Sequence, residues 1–256
     1  MSEVITQGGI ETTINHGIGT ITFHHPKSNS LPSKVLKEFA TAIYAMGENP
    51  EAKVIIIQSE GNGAFCSGAS FDELLALTAF DPAKEFFMGF ARVINAIRKV
   101  NKFVIGRVQG KTVGGGVGLA CAVDYCFATQ GAAVKLSELA VGIGPFVVGP
   151  AVERKIGTSA FTSLAINATE WRDAQWARNC GMYMDIYATE TEMDEAIQKL
   201  AATLSNSSAD AMKELKRVAW QGTEHWDELL EQRAEISGRL ILSDFSKNFI
   251  NSFKNK

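Results

Sequence analysis

The sequence predicts an α/β fold, with strands and helices alternating around a parallel sheet, followed by a helical C-terminal region. Residues 54–57 form a continuous apolar run of Val and Ile, typical of a strand covered on both faces. Segments with strand and helix periodicity alternate up to about Pro150, after which strand patterns almost vanish. The 256 residues, 46% of them apolar, are enough for one large domain with a sizeable core.

The N-terminal part predicts a hairpin, a helix and a strand in that order. Residues 11–14 and 19–24 carry β-branched alternation around His16-Gly17, which indicates two antiparallel strands. From Ser33 the apolar residues recur with helical spacing until Asn49-Pro50. The apolar run then predicts a strand over residues 53–58.

The middle of the chain repeats this alternation. A loop of small residues, 59–70, precedes a helical pattern that includes Phe87 and Ile97, and residues 103–108 predict the next strand. A glycine-rich turn and a short buried helix over 119–123 follow. Residues 124–128 and 133–136 predict two further strands, and we expect Asp124 to cap or bridge structural elements.

The C-terminal part predicts helices over residues 192–204, 210–218 and 226–242. No linker rich in Ser, Gly or Pro separates them from the preceding part. We therefore predict an α/β core over residues 1–195 and a C-terminal helical region over residues 196–256 as parts of one unit.

Composition argues against several classes of partner. The chain has 25 basic and 28 acidic residues, and the basic ones form no block that would bind a nucleic acid backbone. No apolar stretch reaches the roughly 20 residues that a membrane span needs. Residues 1–9 lack the apolar segment of a secretion signal, so we expect a cytoplasmic protein. The four cysteines have no paired spacing and are interpreted as small apolar side chains in a reducing compartment.

Two glycine-rich turns, 61–69 and 110–116, each follow a predicted strand. In a parallel sheet both would open at the carboxyl edge, where ligands bind. Gly115 and Gly116 would begin a helix, whose free N–H groups favour an anion or oxyanion. The glycines could instead serve only close helix–sheet packing. Neither turn carries the P-loop or dinucleotide fingerprint, which disfavours nucleotide triphosphate binding.

The two turns together resemble the enoyl-CoA hydratase/isomerase (crotonase) family. The matching segments are Gly-Ala-Phe-Cys-Ser-Gly-Ala at 63–69 and Val-Gln-Gly-Lys-Thr-Val-Gly-Gly-Gly at 108–116, and the likeness extends from residue 25 to residue 254. The resemblance implies a crotonase-like (ClpP/crotonase) ββα spiral core and an acyl-CoA thioester substrate. It also implies homotrimers or hexamers with subunit contacts from residues 196–256, and no metal or other cofactor.

The resemblance assigns an oxyanion hole to the backbone amides of Ala69 and Gly115, and a catalytic carboxylate to Glu138. A carboxyl among the apolar neighbours of Glu138 would have its pKa raised by desolvation, which suits proton transfer in both directions. Taken alone, Glu138 could equally be a solvated loop residue. Hydratases of the family carry another glutamate two residues after the triple glycine, where this chain has Gly118.

A single glutamate favours an isomerase that moves a double bond between the 3 and 2 positions of an enoyl-CoA. Pro145-Phe146 points the same way, because hydratases of the family more often carry Pro-Gly there. An enoyl-CoA hydratase is the first alternative. A non-catalytic acyl-CoA-binding protein is the second.

Other positions match the family's coenzyme A contacts. Lys27, Ser28 and Ser67 correspond to the binding loop, and Phe253 with Lys254 corresponds to a pair that reaches the nucleotide of a neighbouring subunit. A solvated lysine and a frayed basic tail are the alternatives. Asp72 and Glu73 are interpreted as solvated charges at the start of a helix.

Overall fold

The computed structural model describes residues 7–254, with side chains for residues 7–252. Within this range a larger sheet has the strand order β1-β2-β3-β4-β6-β9, and a smaller one has the order β5-β7-β8. The strands are β1 (Gly9–Asn15), β2 (Ile18–His24), β3 (Val54–Ser59), β4 (Val104–Val108), β5 (Thr112–Val113), β6 (Tyr125–Thr129), β7 (Ala133–Lys135), β8 (Arg172–Asp173) and β9 (Asp185–Tyr187). The helices are α1 (Ser33–Glu48), α2 (Phe71–Ala76), α3 (Phe80–Lys99), α4 (Gly115–Ala122), α5 (Gly149–Ile166), α6 (Ala174–Asn179), α7 (Glu190–Ser205), α8 (Ala209–Ala219), α9 (Trp226–Leu240) and α10 (Asp244–Lys254).

The predicted hairpin is confirmed at one edge of the larger sheet. β1 and β2 pair antiparallel up to Asn15 and Ile18, and the two turn residues His16 and Gly17 have φ values of 49° and 81°. Positive φ at both turn positions matches the right-handed twist of the strands. From β2 onward all neighbours in this sheet pair in parallel, as the alternation of strands and helices predicts.

The apolar run in β3 is buried on both faces of the sheet. Ile55 and Ile57 belong to the main core, where α1 and α3 pack. Val54 and Ile56 point the other way and join a second core with α7. Since successive side chains of a strand alternate between faces, a strand between two layers of helices needs apolar residues at every position.

Among the strands, the sequence patterns miss the shortest ones. β5 and β8 have two residues each and β9 has three, too few to show an alternation. β9 nevertheless completes an edge of the larger sheet by pairing with β6. The predicted domain boundary at residue 195 falls inside α7, whose Met193, Ile197 and Ala201 all pack on the sheet.

A buried ion pair attaches α8 to the core. Lys216 is 2% exposed, and its Nζ lies 2.9 Å from Oδ2 of Asp124. The same ammonium donates to the carbonyl oxygens of Ile97 and Lys102, at 2.8 and 2.7 Å. Asp124 also accepts a hydrogen bond from Nε1 of Trp220 at 2.7 Å, so its predicted bridging role is confirmed.

The cysteines of the described chain behave as buried side chains. Cys66, Cys121 and Cys126 are buried, Cys180 is half-buried, and all four are free thiols. Burial raises the pKa of the Cys66 and Cys126 thiols to about 12, which keeps them protonated and unreactive. Within residues 7–254 no helix combines the length and apolar character that crossing a membrane requires.

Candidate active site

The two glycine-rich turns meet beyond the carboxyl ends of β3 and β4. Cys66 forms a parallel bridge with Thr112, and Val113 donates its amide hydrogen to the Cys66 carbonyl oxygen at 2.8 Å. At the strand ends, Nε2 of Gln109 donates to Oγ of Ser59, also at 2.8 Å. The prediction that both turns open at one edge of the sheet is therefore confirmed.

Gly68 is the residue that brings the first turn against the second. Its φ of +86° lies in the region that favours glycine, and an added Cβ would lie 2.9 Å from the Val113 oxygen. The same Cβ position is 3.5 Å from the amide nitrogen of Gly115. Ala69, the next residue, therefore lies beside the start of α4.

The amides of Ala69 and Gly115 are not used by the backbone of the described chain. Leu31 donates to the Gly68 oxygen and Ser70 donates to the Leu31 oxygen, a pattern that skips the Ala69 amide. Gly115 is the first residue of α4, where a helix leaves its N–H groups without intrahelical partners. Both residues line one cleft. The two predicted donors thus lie in one cleft, and neither is bonded to another backbone group of the described chain.

Glu138 follows β7 and lines the same cleft. An added Cβ at Gly114 would lie 3.2 Å from its Oε1. Oε2 is enclosed and has no hydrogen-bond partner among the described residues, although the outer part of this turn, such as Leu139, is exposed. Burial raises the pKa of the Glu138 carboxyl to about 7, opposed by a hydrogen bond from its own backbone amide. At neutral pH the group can both accept and donate a proton.

Gly118 leaves no room for the second glutamate of the family's hydratases. An added Cβ there would lie 2.5 Å from Cγ1 and 2.6 Å from Cβ of Val148. Glu138 is accordingly the single carboxylate among the described residues that line the cleft. Val148 fills the space in which a second carboxylate would begin.

The remaining wall of the cleft is mostly apolar, apart from Ser137 beside Glu138. Residues of α2, of α3 and of the segment before α5 contribute it: Phe71, Leu74, Phe87, Phe90, Val141, Ile143, Pro145, Phe146, Val147 and Val148. α9 adds Ser237, which belongs to no recognisable sequence motif. The helical spacing of Leu230, Ala234 and Ser237 on the buried side of α9 marks the serine as inward-facing, but it does not show what the serine faces.

The predicted coenzyme A loop gathers at the outer side of the first turn. The amide of Ser67 donates to the Ser28 oxygen at 3.1 Å, and its hydroxyl donates to the Lys27 oxygen at 3.2 Å. Ser67 also lines the cleft, two residues before Ala69, so the predicted coenzyme A loop lies next to the predicted oxyanion hole. Phe253 and Lys254 end α10, and their side chains lie outside the described residues.

The interpretation of Asp72 and Glu73 as solvated charges is wrong. The Asp72 side chain is only 14% exposed, and its Oδ2 lies 2.6 Å from Nζ of Lys27. Oε2 of Glu73 accepts a hydrogen bond at 2.7 Å from the amide of Ser33, the first residue of α1. The start of α2 packs against the loop before α1, so both carboxylates have partners from that region.

Comparisons with known proteins agree with this fold. A family model described as Enoyl-CoA hydratase/isomerase matches residues 13–256. The mitochondrial enoyl-CoA hydratase of Pongo abelii is 27% identical over 238 residues, covering 91% of this chain and 78% of that protein. The carnitinyl-CoA dehydratase of Escherichia coli is 28% identical over 240 residues, covering 94% and 88%.

The crystal structure of an enoyl-CoA hydratase from Bacillus halodurans superposes with a TM-score of 0.87. It covers 95% of this chain and 99% of that one at 21% sequence identity, and therefore supports the crotonase fold. The predicted α/β core with a helical C-terminal region is confirmed. Because the family model covers nearly the whole sequence, the chain belongs to the enoyl-CoA hydratase/isomerase family.

Proposed function

We propose that this enzyme is an enoyl-CoA isomerase that shifts a double bond from the 3 to the 2 position of an acyl-CoA thioester. The observation that carries the proposal is the single carboxylate at the cleft. Glu138 has a pKa raised to about 7, and Val148 occupies the space that a side chain at Gly118 would need. One group that can lose and regain a proton is enough for isomerisation, whereas the family's hydratases divide the addition of water between two glutamates.

The reaction proceeds in two proton transfers. The Glu138 carboxylate removes a proton from C2 of the 3-enoyl-CoA, and the electron pair moves into the conjugated system to leave a dienolate with its charge on the thioester oxygen. The protonated Glu138 then returns the proton to C4, which regenerates the carboxylate and leaves the double bond between C2 and C3. The elements of water are neither added nor lost.

The dienolate needs donors aimed at its oxygen. The amides of Ala69 and Gly115 fit this role because neither is bonded to another backbone group of the described chain. Preorganised donors of this kind contribute about 3 to 4 kcal/mol each to the stabilisation of the transition state. The Gly115 amide also begins α4, and the positive end of a helix favours negative charge.

Coenzyme A binding and assembly complete the proposal. Lys27, Ser28 and Ser67 would hold the coenzyme A moiety beside the oxyanion hole, and Phe253 and Lys254 would reach the nucleotide bound by a neighbouring subunit.

We propose homotrimers, or hexamers of two trimers, with contacts from residues 196–256. Sedimentation equilibrium measures the mass directly, and a monomer or dimer would contradict this assembly.

Hydration of a 2-enoyl-CoA is the second candidate function. The names of the related hydratase and dehydratase favour it. Without a second carboxylate, Glu138 and backbone groups would have to position the water and deliver the proton. A non-catalytic acyl-CoA-binding protein would instead bind both enoyl-CoAs and convert neither.

Parallel assays with a 3-enoyl-CoA and a 2-enoyl-CoA of the same chain length test the proposal. We expect the parent to convert the 3-enoyl-CoA without forming a 3-hydroxyacyl-CoA, and Glu138→Gln to lose most of this conversion. The exposed Glu170→Gln, outside the cleft, serves as the matched control. Hydration of the 2-enoyl-CoA without isomerisation would overturn the proposal in favour of a hydratase.

A further inference from the structure

Ser237 is a buried hydroxyl without a partner in the described part of the chain. The residue is 1% exposed and lines the cleft. Serine and threonine hydroxyls inside helices commonly bond the carbonyl four residues earlier, as Thr41 does with Lys37 and Thr203 with Lys199, both at 3.0 Å. Ser237 makes no such bond within the described residues, so its hydrogen-bonding capacity is left to whatever occupies the cleft.

The surroundings of Ser237 make an unused hydroxyl costly. α9 packs against α3, whose Phe87 and Phe90 line the cleft with rings that can neither donate nor accept a conventional hydrogen bond. Buried polar groups in proteins are nearly always hydrogen-bonded. When such a group faces an apolar cavity, a ligand that supplies the missing partner binds with a more favourable free energy. A plain alkyl chain lying against Ser237 would supply none.

The contacts between α9 and α3 indicate which part of a ligand Ser237 would meet. Gly238, the next residue, packs so closely on α3 that an added Cβ would lie 2.8 Å from the Lys84 nitrogen. Phe90, further along α3, packs directly over Gly115 at the oxyanion hole. Six residues of α3 separate these two contacts, about 9 Å at a rise of 1.5 Å per residue. Ser237 therefore lies toward the start of α3, on the far side of the cleft from the ring that covers Gly115.

We propose that Ser237 determines which acyl groups bind, and that the preferred substrate is an acyl-CoA whose chain carries a hydroxyl group beyond the reacting carbons. A serine hydroxyl and a ligand hydroxyl can each donate and accept a hydrogen bond, so each can supply the other's missing partner beside the apolar side chains of α3. The inference rests on the proposed function, since it names the substrate class of the same cleft. Ser237 acts as a specificity-determining residue and takes no part in proton transfer.

Binding of saturated acyl-CoAs tests this inference independently of turnover. Isothermal titration calorimetry compares hexanoyl-CoA with 6-hydroxyhexanoyl-CoA, and octanoyl-CoA with 8-hydroxyoctanoyl-CoA. For at least one pair we expect the parent to bind the hydroxylated ligand about tenfold more tightly, and Ser237→Ala to abolish that preference. The control Ser246→Ala removes an equally buried serine hydroxyl that bonds the Leu240 oxygen, and it should keep the preference.

Two outcomes would overturn the inference. One is a parent that binds the plain chain as tightly as the hydroxylated chain at both lengths. The other is a Ser237→Ala variant that loses affinity for both ligands by the same factor. Turnover of the matching 3-enoyl-CoAs is measured alongside: absence of isomerisation with the binding preference intact would reject the isomerase proposal and leave the role of Ser237 standing.

Discussion

The side chain of Val148 occupies the space into which a side chain at position 118 would project. An added Cβ at Gly118 lies 2.5 Å from Cγ1 and 2.6 Å from Cβ of Val148. The absence of a carboxylate at residue 118 therefore involves two positions, because a side chain 30 residues later in the chain fills the space that it would need. The cleft is built around one glutamate.

The first prediction concerns this pair. Gly118→Ala should lower the free energy of unfolding by about 1 to 3 kcal/mol, because a methyl group enters a filled space. Combining it with Val148→Gly should cost less than the sum of the two single changes, since the second change removes both overlapping atoms. Denaturant unfolding of the four proteins measures this coupling, and strict additivity would show that the two positions are not in contact.

The second prediction is the pH dependence of catalysis. Because the pKa of Glu138 is about 7, the carboxylate that begins the reaction is present in about one tenth of the free enzyme at pH 6. We expect kcat/KM for a 3-enoyl-CoA to rise about tenfold between pH 6 and pH 8 and then level off. The residual activity of Glu138→Gln should lack this rise. A flat profile for the parent over this range would exclude Glu138 as the base.

The third prediction is the effect of Glu138 on stability. Its pKa is raised from 4.5 to about 7 by folding, so the folded protein binds this proton more tightly than the unfolded chain. Its contribution is therefore fully present below pH 4.5 and is lost as the pH rises through 7, by about 3 kcal/mol in total. Glu138→Gln removes this loss. The variant should gain stability relative to the parent between pH 5 and pH 8 in urea unfolding, and an unchanged difference across that range would contradict the raised pKa.

The fourth prediction concerns the glycine that joins the two turns. Gly68→Ala combines an unfavourable positive φ with a Cβ that would lie 2.9 Å from the Val113 oxygen. We expect a loss of about 2 kcal/mol in stability and a lower kcat, because the Ala69 amide would shift.

Gly61→Ala is the matched control for that change. Gly61 has a similar φ of +79°, but an added Cβ would have nothing within 4 Å. It should lose about 1 kcal/mol in stability and keep the parent kcat. Equal losses of kcat in the two variants would show that contact between the turns does not position the oxyanion hole.

The fifth prediction concerns the attachment of α8. Lys216→Met removes a buried ammonium and leaves Asp124 without its charged partner, so it should cost about 3 kcal/mol of stability. Lys213→Met changes an exposed residue of the same helix and should stay within about 0.5 kcal/mol of the parent. Thermal unfolding of both variants provides the comparison, and similar melting temperatures would show that the buried pair does not hold the helix in place.

Much of the fold follows from local patterns. The positive-φ turn at His16-Gly17, the spacing from Ser33 to Asn49 and the apolar run in β3 each depend on residues near one another in the chain. These elements were therefore predictable. β9 was not, because three half-buried residues carry no periodicity of their own and become a strand only by pairing with β6.

The candidate site divides in the same way. The glycine-rich turns, Glu138 and the absence of a carboxylate at residue 118 are visible in the sequence, and the family resemblance assigns the amides of Ala69 and Gly115 to an oxyanion hole. Only the packing of distant segments shows that Val148 fills the space at residue 118, that Asp72 pairs with Lys27 and that Ser237 lines the cleft. Turn chemistry and periodicity are properties of neighbouring residues. Burial, close packing and unpaired hydrogen-bonding groups instead arise only where distant segments of the chain meet.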